Sequence, residues 1–167
     1  AKGSILNTTG TGPLKVVGTG TTAGSGGTIQ STTTRGAEFV SASNITLKNM
    51  NFTNNAQSVQ DTPATCANLG AGTNLNCSAS IHMASVTGIA LDNVDVNGSN
   101  QVCINGNNVT TFSMTNGSKV RNCGNETGEN GMQFANLLGA STITGVTFTN
   151  NRNSALDVVN TSGIGTL

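Results

Sequence analysis

Apolar and polar residues alternate within short segments of the chain, and these segments recur. Residues 44–55 read NITLKNMNFTNN, where apolar side chains occupy every second position until Asn49 interrupts the alternation and a second run begins. A period of two residues is typical of a strand with one buried face, and no window shows the spacing of an amphipathic helix. We therefore predict two short strands that meet at Asn49.

The same pattern returns along the whole sequence. Residues 37–55 align without a gap on residues 81–99, and residues 132–151 follow the pattern with one extra residue. Residues 102–123 form a further copy, and weaker copies lie at 13–32 and 155–167. A fixed repeat of about twenty residues, each with three short strands, indicates a repeat architecture.

The repeat restricts the path of the backbone. Tight hairpin turns would reverse the chain direction at each corner and destroy the repeat, so the chain must wind in one sense. Equivalent strands of successive repeats then pair side by side, about 4.8 Å apart, and form parallel sheets. In these sheets Leu47 stacks on Leu91 and Phe52 on Val96. We predict one all-β solenoid domain over residues 1–167, with about five to six coils and a loop excursion at 56–80.

Asparagine and glycine occupy one recurrent position between the second and third strands. The residues are Asn49, Asn93, Asn116 and Gly145. A sharp corner requires a residue in the left-handed backbone region, which Asn and Gly tolerate best. We predict that these residues form a structural corner turn, and that the stacked amides form an asparagine ladder.

The four cysteines indicate an oxidising compartment. Cys66, Cys77, Cys103 and Cys123 form an even set with no C-x-x-C pair, which favours two disulfides over a metal site. We expect a Cys66–Cys77 bridge within the excursion and a Cys103–Cys123 bridge between positions about one coil apart, although spacing does not prove connectivity. A secreted or cell-surface location follows.

The copies resemble the right-handed parallel β-helix of pectate lyases and of parallel β-helix repeat proteins. Residues 18–55 are also similar to the repeats of large secreted or surface-attached bacterial proteins. The resemblance covers almost the whole chain and implies a right-handed, single-stranded parallel β-helix with three strands per coil. In the enzymes of this group, carbohydrate lies along the outer face of the first strand of each coil.

That outer face supplies the candidate site residues. We expect its central position to be occupied by Lys15, Glu38, His82, Cys103, Gln133 and Asp157, and we take Glu38, His82, Gln133 and Asp157 as a candidate glycan-binding face. Glu38 beside His82 at about 5 Å would resemble an acid–base pair. The alternative is a solvated polar ladder without chemical function.

Several features argue against catalysis. Glu38 and Asp157 lie several coils apart, Asp92 and Asp95 belong to another side, and the chain has no Trp or Tyr to stack on a sugar. We predict no catalytic residue, no resident metal and no cofactor. Glu126 and Glu129 are the carboxylates that would hold a calcium ion if one bound.

Charge and hydropathy further limit the partners. Charged residues make up 8% of the chain, its formal net charge is zero, and no basic stripe or long apolar run is present. We therefore expect neither nucleic-acid binding nor membrane insertion.

The favoured function is a non-catalytic extracellular scaffold, structural or adhesive, in a surface or fibre. One alternative is a glycan-binding module or a lyase- or hydrolase-like enzyme acting on extracellular glycans. Another is a filament subunit that stacks head to tail on itself, because neither end carries a predicted cap, although a segment of a longer solenoid would share that feature.

Overall fold

The chain folds into β-strands. A computed structural model describes residues 2–56, 77–161, 163 and 165–167, and no helix occurs among them. The strands are Ser4–Asn7 (β1), Leu14–Val17 (β2), Gly27–Gln30 (β3), Ala37–Val40 (β4), Ser43–Lys48 (β5), Met50–Asn55 (β6), Ala79–Asp92 (β7), Asp95–Ser99 (β8), Val102–Thr115 (β9), Lys119–Cys123 (β10), Met132–Ala140 (β11), Thr142–Ile143 (β12), Thr147–Thr149 (β13), Leu156–Val159 (β14) and Gly165–Thr166 (β15). Most of the predicted 56–80 excursion lies outside the described residues, and β7 already begins at Ala79.

The described strands form two sheets whose strand pairs are all parallel. The larger sheet has ten strands, and its main path runs β1-β4-β7-β9-β11-β14. The smaller sheet has five strands in the order β13-β10-β8-β6-β3. Neighbouring strands in each sheet are therefore distant in sequence, as a repeat without hairpins requires.

The strand register confirms the gapless alignment of the repeats. Leu47 lies opposite Leu91, and Phe52 lies opposite Val96. The extra residue of the later copy is also visible, because Leu138 pairs with Thr110 whereas Thr142 pairs with Ser113. Like side chains therefore stack on like, and the apolar positions join into one buried cluster.

One buried column shows how closely the stacked side chains fit. Phe39, Met83, Gly106 and Phe134 follow each other in register across β4, β7, β9 and β11. At Gly106 a Cβ atom would lie 2.3 Å from Cδ1 of Phe134. The Phe134 ring fills the volume that glycine leaves, and it packs edge-on against Phe112 with ring centroids 5.1 Å apart. A glycine in this strand is thus compensated by a large neighbour in the next strand.

Left-handed residues form four columns in register, of which the sequence pattern revealed one. The predicted corner residues Asn49, Asn93, Asn116 and Gly145 have φ values of 57°, 53°, 58° and 65°. The other columns are Thr8, Ser41, Ser85, Asn108 and Asn136; Asn44, Gly88, Thr111 and Gly139; and Ser31, Asn54, Gly98, Asn122 and Asn150. The chain therefore changes direction at recurrent places where asparagine or glycine is common.

Asparagine side chains connect adjacent strands at three of these columns. Asn93 Nδ2 donates to Asn49 Oδ1 at 2.7 Å, and Asn136 Nδ2 donates to Asn108 Oδ1 at 2.9 Å. In the fourth-named column Asn150 Nδ2 donates to Asn122 Oδ1 at 3.3 Å. These bonds satisfy amide groups at corners where the chain changes direction.

A disulfide joins the two sheets. Cys103 in β9 and Cys123 in β10 are bonded, with their Cα atoms 5.5 Å apart, and both are fully buried. The predicted Cys103–Cys123 bridge is therefore confirmed. Cys77 is described and buried, but Cys66 lies outside the described residues, as does the predicted Cys66–Cys77 bridge.

We expect Gly106→Ala to lower the free energy of unfolding by about 1 to 3 kcal/mol, because the new methyl group would overlap the Phe134 ring. Gly12→Ala is the matched control, since a Cβ there meets only Thr9 O at 3.9 Å. Urea unfolding of both variants measures the difference. Phe134→Leu in the Gly106→Ala background should recover part of the loss. Equal stability of the two glycine variants would contradict the proposed packing.

We expect Thr111→Asn to raise the free energy of unfolding by about 1 kcal/mol, because a β-branched residue is strained in the left-handed region. Thr111 has φ 60° and is exposed, so the replacement removes no buried contact. Thr28→Asn in the extended strand β3 is the control and should give no gain. Thermal unfolding followed by circular dichroism provides the measurement. A gain at Thr28 as large as that at Thr111 would refute the backbone explanation.

Candidate functional site

Four of the predicted site residues lie in one register across the larger sheet. The outward position of successive strands is occupied by Glu38 in β4, His82 in β7, Asn105 in β9, Gln133 in β11 and Asp157 in β14. We call this row the polar ladder. The structure therefore brings Glu38, His82, Gln133 and Asp157 onto a single face, with Asn105 between His82 and Gln133.

Two expected members of this row are elsewhere. Lys15 lies in β2 opposite Thr46, and the position above Glu38 is held by Ile5. Cys103 precedes the ladder position, which belongs to Asn105 because Ile104 pairs with Ile81. The assignments of Lys15 and Cys103 were wrong for different reasons: Lys15 lies in the strand that pairs with β5 and not in the one that pairs with β4, whereas Cys103 is two residues from the correct position. Residues two apart share a face of a strand, so alternation alone does not fix the register, and aligning Ile81 with Ile104 would have found Asn105.

The ladder is buried, which corrects the expectation of a solvated row. The relative exposure is 8% for Glu38, 1% for His82, 0% for Asn105 and 1% for Gln133. Asp157, in the last main strand of the sheet, is only half-buried. Polar groups buried to this extent are stable only when they have hydrogen-bond or ion-pair partners.

Amide groups link the central part of the ladder. Gln133 Nε2 donates to Asn105 Oδ1 at 2.9 Å, which turns Asn105 Nδ2 towards His82 Nδ1 at 3.0 Å. Gln133 Nε2 also lies 3.3 Å from Cys77 Sγ, and its Oε1 accepts from Asn130 Nδ2 at 3.2 Å. The row is thus a continuous chain of hydrogen bonds across three strands.

These contacts keep His82 neutral. If Asn105 Nδ2 donates to Nδ1, the ring carries its proton on Nε2. Burial, together with the nearby positive charges of Arg35 and Lys2, lowers the pKa of His82 from 6.5 to about 3. A histidine with this pKa is a poor proton acceptor near neutral pH.

Glu38 is held as a carboxylate by two cations. Its Oε2 lies 2.5 Å from Lys2 Nζ and 3.3 Å from Arg35 Nη1. Burial alone would raise the pKa of Glu38, but the Lys2 and Arg35 charges outweigh it and leave the pKa below 4.5. Arg35 is itself anchored through Nε to Cys77 O at 3.1 Å. Glu38 and His82 are therefore neighbours in register, yet each is engaged by other groups.

Three other carboxylates also serve as local acceptors. Glu129 Oε2 accepts from the backbone N–H groups of Asn125 and Glu126, at 2.6 and 2.5 Å, so it closes its own loop. Asp95 forms a two-point contact with Arg121, and Asp92 pairs with Lys48 at 3.1 Å. No cluster of three His, Cys, Asp or Glu side chains that could bind a metal occurs in the described part of the chain.

A shallow groove of about 540 Å³ crosses the outer face of β2, β5, β7 and β9. Small side chains form its floor, with Thr46, Ala90 and Ser113 in register, and Lys15 is its charged lining residue. It has no carboxylate among its lining residues, so it offers hydroxyl groups and one cation but no acid–base pair.

Comparison of the chain with protein-family models, curated proteins and solved structures returned no match. Among the described residues no helix is long and apolar enough to span a membrane. The geometry of the site therefore carries the functional argument.

We expect the free energy of unfolding to fall as the pH decreases from 6.5 to about 5.5, by up to roughly 1.4 kcal/mol per pH unit. The unfolded chain binds a proton at His82 below pH 6.5, whereas the folded chain keeps the ring neutral until about pH 3. His82 is the only histidine, so this window isolates it from the carboxylates. Glu38, with its lowered pKa, adds a loss in the same direction only at lower pH.

Urea unfolding across this pH window measures the slope in the native protein and in His82→Gln, with His82→Asn as a second variant. Both variants should be nearly flat between pH 6.5 and 5.5. Asp95→Asn is the control and should keep the slope. A native protein without a slope, or a variant that retains it, would contradict a buried neutral His82.

Proposed function

We propose that this chain is part of a right-handed parallel β-helix of about five to six coils, three strands to a coil, that acts as a non-catalytic extracellular scaffold. Two features support the winding. Every described strand pair is parallel, and each pairs the same position of successive sequence repeats. The sheet-to-sheet disulfide supports an oxidising, extracellular environment.

One observation carries the functional proposal: three of the four candidate glycan-binding residues, Glu38, His82 and Gln133, are buried and engaged by partners within the protein. His82 has a pKa of about 3, Glu38 is paired with two cations, and Asn105 and Gln133 use their amides within the ladder. A general acid or base must reach its substrate and exchange protons near the working pH. The ladder supports neither requirement, so we assign it to stability and to the register of the strands.

A scaffold of zero net charge suits the remaining surface. The outward residues of the smaller sheet are polar, and the Asp95–Arg121 ion pair bridges two of its strands. Such a surface can contact extracellular glycans or other copies through many weak polar contacts without one deep site. An adhesive role is therefore part of the proposal, with calcium not required.

The purified chain should release neither reducing ends nor unsaturated products from pectin, alginate or other acidic polysaccharides, with or without calcium. Turnover would overturn the scaffold proposal in favour of a carbohydrate-active enzyme.

Saturable binding of such a polysaccharide without turnover, lost in Lys15→Ala but kept in Lys119→Ala, would favour a glycan-binding module in the outer groove. Concentration-dependent growth of large species in sedimentation velocity would favour the filament subunit.

A further inference from the structure

Four asparagines in the sequence are followed directly by glycine: Asn97, Asn105, Asn116 and Asn130. In such a pair the glycine nitrogen can attack the asparagine side chain, because glycine has no Cβ to hinder the approach. The reaction needs space around the pair and movement of its backbone. Both differ among the four pairs of the folded protein.

Two of the pairs are protected by burial. Asn105 is 0% exposed and forms part of the polar ladder. Asn130 is 3% exposed; it donates to Gln133 and accepts from Asn153 Nδ2 at 2.9 Å. Moving either side chain would break buried hydrogen bonds, so reaction there requires the loss of tertiary contacts.

A third pair is restrained by its strand. Asn97 and Gly98 both lie within β8, where Asn97 pairs in register with Thr53 and Arg121. Asn97 Oδ1 also accepts from Asn122 Nδ2 at 2.7 Å. This pair is therefore held on both sides by neighbouring strands.

The fourth pair stands apart. Asn116 and Gly117 lie between β9 and β10, outside any strand, and both residues are exposed. A Cβ added at Gly117 would meet no atom within 4 Å, so the backbone has open space to move. Two bonds restrain the reacting groups: Asn116 Nδ2 donates to Asp92 Oδ1 at 2.8 Å, and Gly117 N donates to Gly145 O at 3.1 Å. Local opening of this one corner frees both reacting groups.

We propose that Asn116 is a site of spontaneous modification in the folded protein, through succinimide formation with Gly117. The Gly117 nitrogen gives up its proton to solvent base and bonds to Asn116 Cγ, while the Cγ–Nδ2 bond breaks and ammonia leaves. Water then opens the ring at either carbonyl, which yields aspartate or isoaspartate at position 116. No oxidant or cofactor takes part.

The modification alters the corner in two ways. An aspartate places a carboxylate beside Asp92 and removes the amide that donates to it, so a favourable bond becomes a like-charge contact. An isoaspartate also adds a methylene group to the main chain between β9 and β10. Because β10 is paired on both sides with β8 and β13, the longer corner disturbs a register that its neighbours fix.

Incubation of the folded protein at mildly alkaline pH, followed by peptide mapping with mass spectrometry, tests the proposal. The peptide carrying Asn116 should exchange NH₂ for OH roughly tenfold or more faster than the peptides carrying Asn97, Asn105 and Asn130. In urea with the disulfide reduced, the four rates should converge. Similar rates at all four sites in the folded protein, or an intact Asn116 under conditions that convert the unfolded chain, would overturn it.

Variants separate the chemistry from its structural consequence. Gly117→Ala should slow the reaction at Asn116, while Gly98→Ala should leave it unchanged. Should Gly117→Ala not fold, Asn116→Gln removes the reactive pair and should abolish the mass change at this position. Asn116→Asp should lower the melting temperature, and Asp92→Asn in that background should restore it. A melting temperature unaffected by Asn116→Asp would refute the like-charge consequence.

Discussion

The parallel, in-register pairing of strands that are distant in sequence is the constraint on which the rest of the structure depends. Each side chain has the same position of the next repeat as its neighbour, about 4.8 Å away. A side chain is therefore compatible with the fold only if it packs against the equivalent side chains of the repeats on both sides. Apolar positions become a continuous core, and polar positions become a row that must bond along its length or face water.

The same constraint applies to the backbone conformation at the corners. Four columns of left-handed residues turn the chain at recurrent places, and asparagine combines tolerance of that conformation with an amide that can bond to the next strand. Asn116 departs from the ladder that Asn93 and Asn49 form, because it donates to Asp92 instead. The column is thus continuous in backbone geometry but not in its side-chain bonds.

The polar ladder illustrates how burial changes the meaning of a chemical motif. A carboxylate beside an imidazole suggests acid–base work when both face solvent. Here burial disfavours the imidazolium form of His82, and the Glu38 carboxylate forms ion pairs with Lys2 and Arg35. Glu38 and His82 therefore do not act on each other as a catalytic pair. A buried row held by hydrogen bonds and ion pairs favours one strand register over others, which is a structural role consistent with the proposed scaffold.

Sequence periodicity by itself determined the all-β class, the parallel stacking of Leu47 on Leu91 and of Phe52 on Val96, and the place of the Asn49 corner. These follow from local alternation and from repeats that align without a gap. Alternation left both Cys103 and Asn105 open for the ladder position. The tertiary structure selected Asn105 and showed that three further columns turn the chain. It also decided that Glu38 and His82 are buried. Burial depends on which residues pack over a face of the sheet, and the alternation within one strand does not show which residues those are.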